Sequence, residues 1–459
     1  MFQRFFDEGL AQCSYLVACE RTREAAVVDP RRDIDVYVEA AARHGLKLTY
    51  AIETHTHADF VSGARELAAL GAEVVAGPGA DLQFEYREAR DRERLNVGDV
   101  TFDVLHTPGH TFEHICAVVR EPGSPVRVLT GDTLFVGAVG RPDLVGVEQT
   151  RRLADALSAS LFDTLLALAD DVEVHPGHGA GSLCGSGIGH DPHSTIGQER
   201  RFNPLLQLRT RDAFVAAVID DVPETPPYFA RMKRINRQGP ALRNLSHAVP
   251  AARALTARDA AALLDDGALL IDMRSPAAFA AGHPAGAINL GFGPRIGYWA
   301  GWLVPAGSKL VLLAGSPEQS DEAVRQLMRV GLDEVCGQLD GGFEAWTRAG
   351  APAASLELIP ARELRDRLRR GVRQSIVDVR TGREWQSGHI DDAINIPLGD
   401  LPDRAAELRG GPQVVTVCES GYRSSLAASL LLRAGVDVVN ISDGTAGYRM
   451  LEAARPASS

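Results

Sequence analysis

An internal repeat in the second half of this 459-residue chain constrains the fold more than any other feature of the sequence. Residues 269–290 align with residues 375–398 and share an Asp-x-Arg, a Gly-His and an Ala-Ile-Asn in register. Further along the chain, residues 309–331 align with residues 413–435. Each copy reads as strand, loop, strand, loop and helix, which is typical of a small α/β unit. We therefore predict two successive α/β domains with parallel sheets.

Length and composition predict a multidomain protein with full hydrophobic cores. The length of 459 residues is enough for about three domains, and 45% hydrophobic residues with 24% charged residues exclude a disordered chain. The net charge of −12, without a basic block, argues against nucleic acid or a membrane as a partner. The N-terminal stretch lacks signal-peptide features, and no apolar run is long enough to span a membrane. We expect a cytoplasmic homo-oligomer.

Three motifs in the first half carry metal-ligating residue types. THTHADF (54–60) follows a strand-like run, PGHT places His110 on a tight turn, and TGD places Asp132 after the strand-like run VRVLT. Together, His55, His110 and Asp132 would form a set of two histidines and one carboxylate, which suits non-haem Fe(II) and oxygen chemistry. Three protein ligands plus water is also a catalytic zinc pattern, so both metals stay open.

The wider text of this segment resembles persulfide dioxygenases, the mononuclear-iron branch of the metallo-β-lactamase superfamily. The matching pieces are THTHADF (54–60), TPGHT (107–111), TGDTLFVGAVGRPDL (130–144) and HPGHG (175–179). The resemblance implies an αββα sandwich, one Fe(II) per chain held by His55, His110 and Asp132, and oxidation of a low-molecular-weight thiol persulfide by O2 to sulfite. Two-metal hydrolases of the superfamily normally have a histidine where this chain has Phe60, and a phenyl ring cannot bind a metal.

Three further residues match positions that bind metal in two-metal relatives, namely His57, Asp59 and His178. We interpret them as neighbours that orient the ligands or hydrogen-bond to metal-bound water. Asp59 could also be the N-cap of a helix over residues 62–71, and both roles could hold at once.

Cys184 lies in a glycine-rich run shortly after His178. Because glycines let the backbone approach a ligand closely, its thiol could relay a persulfide sulfur at the rim of the metal pocket. The alternative is an unreactive loop cysteine. Arg141 and Asp143 similarly could organise the loop after Asp132 as a buried pair or could contact substrate.

The second repeat copy contains the loop Cys418-Glu419-Ser420-Gly421-Tyr422-Arg423 between an apolar strand and a helix. Backbone N–H groups at such a turn form an anion-binding site together with the helix N-terminus, which favours a nucleophilic thiolate. Both copies resemble rhodanese domains over residues 250–456. In that family a loop of this length serves sulfur transfer, whereas one more residue gives the phosphate-binding loop of related phosphatases. The resemblance implies Cys418 and Arg423 as catalytic residues and the loop between them as the anion site.

The first repeat copy lacks this machinery. Ala314 stands at the position of Cys418, and residues 315–319 contain no arginine. Cys336 lies in a strand-like run, where a small buried hydrophobe is the favoured interpretation. The six cysteines are scattered without CxxC spacing, which argues against disulfides and structural zinc. Three of them, Cys13, Cys19 and Cys116, lie in apolar runs and are predicted to be core residues.

These assignments predict an α/β multidomain chain with three domains. A metallo-β-lactamase-like persulfide dioxygenase domain covers 1–248, an inactive rhodanese-like domain covers 249–354, and an active rhodanese domain covers 355–459. The first domain should end in residues 231–250, whose low apolar periodicity is typical of an extended linker.

The whole chain resembles bacterial fusions of a persulfide dioxygenase with tandem rhodanese domains that act in sulfide detoxification. The resemblance implies that Cys418 passes sulfane sulfur from a second persulfide to sulfite, giving thiosulfate, or runs in reverse. One alternative is a zinc-dependent, glyoxalase II-like thioester hydrolase fused to a rhodanese. Another is a nonenzymatic sulfide sensor or sulfur carrier. The sequence does not identify the thiol carrier, for example glutathione or coenzyme A.

Overall fold

The computed structural model describes residues 1–245 and 248–453. Two residues of the predicted linker, 246–247, and the end of the predicted third domain, 454–459, lie outside the described residues. The chain separates into two compact units, of which the first is Met1–Pro250 with Arg325–Gly331 and the second is Ala251–Val324 with Leu332–Ser459. Within the described ranges, no helix is both long and apolar enough to cross a membrane.

The first unit contains two six-stranded sheets. The first sheet consists, in chain order and in spatial order, of β1 (Phe2–Asp7), β2 (Gln12–Cys19), β3 (Glu24–Val28), β4 (Lys47–Ile52), β5 (Glu73–Ala76) and β6 (Arg87–Glu88). The strands that follow are β7 (Arg94–Val97), β8 (Val100–His106), β9 (Ile115–Arg120), β10 (Arg127–Gly131), β11 (Leu134–Phe135), β12 (Ala138–Val139), β13 (Glu173–Pro176) and β14 (Ser194–Thr195). The second sheet has the order β14-β13-β10-β9-β8-β7, and β11 and β12 form a separate hairpin.

Helices cover the outer faces of this unit. They are α1 (Asp35–Arg43), α2 (Ala64–Ala69), α3 (Thr150–Ala159), α4 (Ile196–Phe202), α5 (Arg211–Asp220) and α6 (Tyr228–Gln238). One apolar cluster joins inward residues of both sheets, such as Tyr15 and Ile52 from one and Phe102 and Leu129 from the other. Side chains alternate across a strand, so each sheet contributes one face to this core. The predicted αββα sandwich is confirmed.

The second unit contains two parallel five-stranded sheets of the same topology. The first copy consists of β15 (Ala254–Leu255), α7 (Ala257–Asp265), β16 (Leu269–Asp272), α8 (Pro276–Ala281), β17 (His283–Pro284), β18 (Ile288–Asn289), α9 (Ile296–Leu303), β19 (Leu310–Leu313), α10 (Pro317–Arg329), β20 (Val335–Leu339), α11 (Gly342–Arg348) and β21 (Ala353–Ala354). The second copy consists of β22 (Glu357–Ile359), α12 (Ala361–Arg369), β23 (Ser375–Asp378), α13 (Gly382–Gln386), β24 (Ile394–Asn395), α14 (Leu401–Arg404), β25 (Val414–Val417), α15 (Tyr422–Arg433), β26 (Val438–Ile441) and α16 (Gly444–Ala453). The orders β15-β20-β19-β16-β18 and β22-β26-β25-β23-β24 are equivalent, so the repeat read from the sequence is a repeated fold.

Two local predictions are wrong. Helix α6 occupies the first part of the predicted extended linker, because Phe229, Met232 and Asn236 recur at helical spacing and are buried. Cys336 is on a strand as predicted but is only half-buried. Burial along β20 alternates, and Gly337 and Leu339 rather than Cys336 occupy its buried face.

The core between the two sheets of the first unit can be tested with a matched pair of phenylalanines. Phe102 is fully buried in this core, whereas Phe202 at the end of α4 is 75% exposed. Phe102→Ala should cost about 3–5 kcal/mol, because it removes buried contacts and leaves a cavity, and should lower the first unit's unfolding temperature by roughly 10 °C. Phe202→Ala should change stability by about 0.5 kcal/mol or less. Calorimetric unfolding of both variants measures this difference, and equal shifts would contradict the assigned core.

Candidate functional site

Three predicted ligand residues converge on one point in the first unit. His55 lies in the loop after β4, His110 in the loop after β8, and Asp132 directly after β10. Asp132 Oδ2 lies 3.8 Å from His55 Nε2 and 3.5 Å from His110 Nε2. All three side chains are at most 2% exposed. The structure therefore brings together one ligand atom from each residue, all within 4.8 Å of one another.

The hydrogen bonds around these atoms fit a metal ligand set. The Thr54 hydroxyl donates to Asp29, so it must accept from His55 Nδ1, 3.0 Å away. His110 Nδ1 donates to the carbonyl of Arg141 at 2.9 Å. Burial lowers the pKa of both rings, which favours their neutral form. Since Nδ1 carries the proton in each neutral ring, both Nε2 atoms are free of protons. His55 Nε2 and Asp132 Oδ2 have no hydrogen-bond partner among the described residues. Buried lone pairs that face one another in this way are what a cation satisfies.

His178 holds the metal-facing carboxylate in place. Its Nδ1 donates to Asp132 Oδ1 and its Nε2 donates to Asp59 Oδ2, both at 2.8 Å. Burial disfavours a charge on His178, but Asp132 and Asp59 outweigh burial and raise its pKa well above the ordinary value. The N-cap role considered for Asp59 is wrong, because α2 has Gly63 as its N-cap and no side-chain cap. The carboxylate of Asp59 instead accepts the hydrogen bond from His178 Nε2.

His57 lies in a separate buried group. Its Nε2 is 3.1 Å from both Asp29 Oδ1 and Glu53 Oε2. Burial lowers the pKa of His57, but these carboxylates raise it to about 10. Phe60 is 1% exposed and packs on the His57 ring with 4.3 Å between the ring centroids. His57 is therefore bound by carboxylates, and its Nε2 is not directed at Asp132.

Several residues that hold the site were missed in the sequence analysis. Asn236 of α6 donates to the carbonyls of His57 and Phe60 at 2.9 and 2.7 Å and accepts from the amide of Ser62 at 2.8 Å. His114 Nε2 accepts from the backbone N–H of Asp132 at 3.0 Å. The only signal for Asn236 in the sequence was a polar residue at a position that faces the buried side of a helix.

Arg141 and Asp143 form an internal pair. The Arg141 guanidinium donates two hydrogen bonds of 2.7 Å to Asp143 and one of 3.1 Å to the carbonyl of Leu183. The Arg141 carbonyl also accepts from His110. This geometry fits the first of the two roles considered, a pair that organises the loop after Asp132.

Cys184 is 1% exposed and packs in an apolar cluster with Phe135, Ala138 and Ile188. Its Sγ also lies within 4.8 Å of ligand atoms of Asp59 and His178. Burial, with the carboxylates of Asp59 and Asp132 nearby, raises the pKa of the thiol well above the ordinary value. The side chain is therefore a buried, protonated thiol beside the site.

The loop 418–423 forms a tight turn around the Cys418 sulfur. Cys418 is 1% exposed. The backbone N–H of Gly421 donates to Cys418 Sγ at 3.2 Å, and Ser424 Oγ lies 3.5 Å from the sulfur. Gly421 has φ +92°, and a Cβ there would lie 2.5 Å from the carbonyl oxygen of Ser442. The turn therefore requires glycine at this position.

The side chains of the loop point to different partners. Arg423 binds the Glu384 carboxylate through two hydrogen bonds of 2.7 and 2.6 Å. Glu419 pairs with Arg449, and the hydroxyl of Tyr422 donates to the carbonyl of Gly291 at 3.0 Å. Burial opposes the charge of Glu384, but Arg423 lowers its pKa to about 2. An ion pair thus lies at the edge of the predicted sulfur-transfer loop.

In the corresponding turn of the first copy, a side chain hydrogen-bonds to the backbone. Gln319 stands at the position of Arg423, and its Oε1 accepts from the backbone N–H of Gly315 at 3.0 Å. Ala314 offers no nucleophile. The side-chain amide of Gln319 thus accepts from a backbone N–H that an anion site would need as a donor.

Comparison with known proteins gives consistent matches for both halves. The Metallo-beta-lactamase superfamily model matches residues 8–178, and the Rhodanese-like domain model matches residues 256–349 and 360–451. The chain is 31% identical to a probable hydroxyacylglutathione hydrolase of Schizosaccharomyces pombe over 42% of this chain and 82% of that protein. It is 30% identical to a hydroxyacylglutathione hydrolase of Polaromonas sp. over 49% of this chain and 94% of that protein. A solved metallo-beta-lactamase from Staphylococcus aureus is 31% identical, with a TM-score of 0.63 over 74% of this chain and 98% of that one.

Two glycines of the second copy test the geometry of the cysteine loop. Gly421 and Gly435 both have positive φ, but a Cβ on Gly435 would meet nothing within 4 Å. Gly435→Ala should cost about 1 kcal/mol from backbone strain alone. Gly421→Ala should cost roughly 1–3 kcal/mol more because of the overlap with Ser442. Calorimetric unfolding of the second unit measures both losses, and equal losses would mean that the turn does not need glycine for space.

Proposed function

The chain belongs to the metallo-β-lactamase superfamily and carries two tandem rhodanese-like domains, and we propose that its first domain is a non-haem iron persulfide dioxygenase. It would oxidise a low-molecular-weight thiol persulfide with O2 to sulfite, as a step in sulfide detoxification. The observation that carries this proposal is the ligand set His55, His110 and Asp132, which presents two unprotonated imidazole nitrogens and one unpartnered carboxylate oxygen. Two histidines and one carboxylate with open positions are the ligand type of non-haem Fe(II) oxygenases.

Single-metal occupancy is supported by the neighbours of this set. Phe60 occupies the position at which two-metal relatives have a histidine. His57 Nε2 is in contact with the carboxylates of Asp29 and Glu53. A bound Fe(II) would supply the reaction between O2 and the sulfane sulfur, in which persulfide, O2 and water give thiol, sulfite and protons. The protein would fix the ligand geometry through His178 and exclude bulk water from the buried site.

The second copy is proposed to transfer sulfur through Cys418. Its sulfur would attack the sulfane sulfur of a persulfide, the S–S bond would break, and the thiolate of the carrier would leave. Sulfite would then take the terminal sulfur from the Cys418 persulfide as thiosulfate, which regenerates the thiolate. The Gly421 amide would stabilise the anions, with Arg423 next to it. The same steps can run in reverse from thiosulfate.

A second candidate is a zinc-dependent thioester hydrolase. The relatives in Schizosaccharomyces pombe and Polaromonas are named hydroxyacylglutathione hydrolases, and His55, His110 and Asp132 could also hold zinc with a water. Phe60 and the engaged His57 count against the two-metal form of this chemistry.

The dioxygenase is tested by O2 uptake of anaerobically iron-loaded full chain on addition of glutathione persulfide or coenzyme A persulfide, with sulfite quantified. We expect iron-dependent uptake that disappears in His110→Ala, because this variant removes a ligand and should weaken metal binding at least about tenfold. Elemental analysis measures the bound metal. His193→Ala is the matched control, since His193 is an exposed histidine of the same unit.

The same experiment separates the two candidates. Absence of O2 uptake with both carriers, together with cleavage of a hydroxyacylglutathione by zinc-loaded protein, would overturn the dioxygenase in favour of the hydrolase. Cleavage that survives His110→Ala would count against the assigned site in either case.

Sulfur transfer is tested with Cys418→Ser. We expect the variant to lose thiosulfate formation from persulfide and sulfite at least about a hundredfold, because a hydroxyl cannot hold the sulfane sulfur. Mass spectrometry should find the added sulfur on Cys418 of the wild type. Cys336→Ser, which alters a half-buried cysteine of the first copy, is the control and should retain transfer. Unchanged transfer in Cys418→Ser would remove this residue from the mechanism.

A further inference from the structure

A short segment at the end of α10 lies in the first unit. Residues Arg325–Gly331 are grouped with Met1–Pro250, although residues 251–324 between them belong to the second unit. The segment comes from the repeat copy that has Ala314 at the position of the cysteine. The first unit is therefore not contiguous in sequence, and residues 1–250 contain only part of it.

Arg329 is the buried anchor of this segment, with 5% of its surface exposed. Its Nε and Nη2 donate to the two carboxylate oxygens of Asp33 at 2.8 and 2.7 Å, and its Nη1 donates to Asp7 Oδ2 at 3.1 Å. Burial opposes the charge of Asp33, but the guanidinium outweighs burial and lowers the pKa of this carboxyl group. Removal of Arg329 would leave two buried carboxylates without this cation, which is unfavourable in a low-dielectric interior.

The backbone of the same segment contacts the ligand loop and α6. The N–H of Val61 donates to the carbonyl of Arg329 at 2.7 Å. Gly331 has φ +70°, and a Cβ there would lie 3.0 Å from the nearest side-chain atom of α6. Asn236 of that helix donates to the carbonyl of Phe60, the chain neighbour of Val61. The end of the ligand loop is therefore held by α6 and by the segment together.

A second line of contacts leads from Arg329 to His55. Asp33 lies in the loop between β3 and α1, which begins with Asp29. Asp29 accepts from the backbone N–H and the hydroxyl of Thr54 at 2.7 and 2.9 Å, and this hydroxyl accepts from His55 Nδ1. The ion pair at Asp33 therefore fixes the loop that orients the His55 ring, and such outer contacts set the geometry of a metal ligand.

We propose that Arg329 is a positioning residue of the candidate metal centre. Its guanidinium acts on His55 through the loop of Asp33, and its carbonyl acts through Val61. This inference rests on the ligand set of the proposed function but not on the reaction, because a hydrolase at the same residues would need the same positioning. It gives the copy without sulfur-transfer residues a part in the metal chemistry of the chain.

Geometry and charge predict opposite effects of removing Arg329. A positive charge disfavours a bound cation in the same unit, so its loss alone should strengthen metal binding. Loss of the positioning contacts should instead weaken metal binding, because His55 would no longer be held in the ligand geometry. A weaker metal affinity in Arg329→Met would therefore report the positioning and not the charge.

Titration of the metal-free full chain with Co(II) tests this role without turnover. The d–d absorption of Co(II) reports the number and arrangement of its ligands, so affinity and geometry are measured together. We expect Arg329→Met to raise the Kd for Co(II) about tenfold and to change the absorption of the bound ion, as loss of a group that orients ligands does. Arg329→Lys keeps the charge but not the paired hydrogen bonds, and its Kd should lie between those of wild type and Arg329→Met.

Arg127→Met is the matched control. Arg127 pairs with Glu173 at 3.1 Å in the same unit, and its side chain is also mostly buried. It lies at the start of β10, however, whereas Asp132 follows the end of that strand. This variant should therefore bind Co(II) with the affinity and absorption of wild type. Thermal unfolding of each variant identifies the temperature range in which the titrations are made on folded protein.

The outcomes separate positioning from general stability. Wild-type affinity and absorption in folded Arg329→Met, or an equal change in Arg127→Met, overturns the proposal. If Arg329→Met does not fold, Arg329→Lys decides. Weaker binding with altered absorption in that variant supports the proposal, and wild-type behaviour overturns it.

The same titrations separate this inference from the proposed function. Co(II) binding that survives His110→Ala would remove the ligand set and with it the positioning role. A metal affinity that depends on Arg329, without O2 uptake from any persulfide, would leave the positioning role standing and remove the dioxygenase.

Discussion

The hydrogen-bonded row Asp59–His178–Asp132 is the interaction on which the metal centre depends. Asp59 follows β4 of the first sheet, whereas Asp132 and His178 follow β10 and β13 of the second, so one imidazole joins the two layers of the sandwich. Two buried carboxylates this close would repel each other strongly. A protonated His178 between them compensates part of this charge and leaves one oxygen of each carboxylate, Asp132 Oδ2 and Asp59 Oδ1, without a hydrogen-bond partner among the described residues. The ligand set thus presents a net negative charge that a divalent cation completes.

The backbone around this row is as specific as the side chains. Gly131 has φ +46°, and a Cβ there would lie 2.6 Å from both His114 Nε2 and Thr54 Oγ1. Glycine is thus required for the chain to pass between the two loops and for the Asp132 amide to reach His114. The ligand loop after β4 is held from the other side by Asn236, which satisfies three of its backbone groups. Helix α6 therefore supports the loop that carries His55.

The sequence indicated the ligand types because HxHxD, PGHT and TGD are local motifs whose spacing reflects strand ends. The fold class followed from the repeat and from the same motifs, and the structure confirms it. Asn236, His114 and Glu384 were not predicted, since each acts through a partner that is distant in sequence or unremarkable in its own segment. The helix around Asn236 was mistaken for a linker because only four of its positions are buried, and one of them is the polar Asn236 itself. Contacts of this kind depend on the packing of whole elements, and a local pattern does not encode them.

The two rhodanese-like copies separate what the fold needs from what the chemistry needs. Each copy keeps an Asp-x-Arg ion pair, Asp272 with Arg274 and Asp378 with Arg380. Asn289 and Asn395 donate to the carbonyls of the two aspartates at 3.0 and 2.9 Å. These contacts account for the Asp, the Arg and the Asn that the two copies share, so this part of the repeat records scaffold interactions.

The positions that differ form a second set. Glu384 and Arg423 of the second copy correspond to Ala278 and Gln319 of the first. The first copy lacks both members of this ion pair. This is expected, because either residue alone would be an unpaired charge at a partly buried position. The first copy also has Ala314 at the position of Cys418, and its Gln319 accepts a hydrogen bond from the backbone N–H of Gly315. The first copy therefore retains the fold through its scaffold pairs, while a side chain of its loop binds a backbone N–H of the same loop. The sulfur-transfer chemistry proposed for this chain is thus left to the second copy.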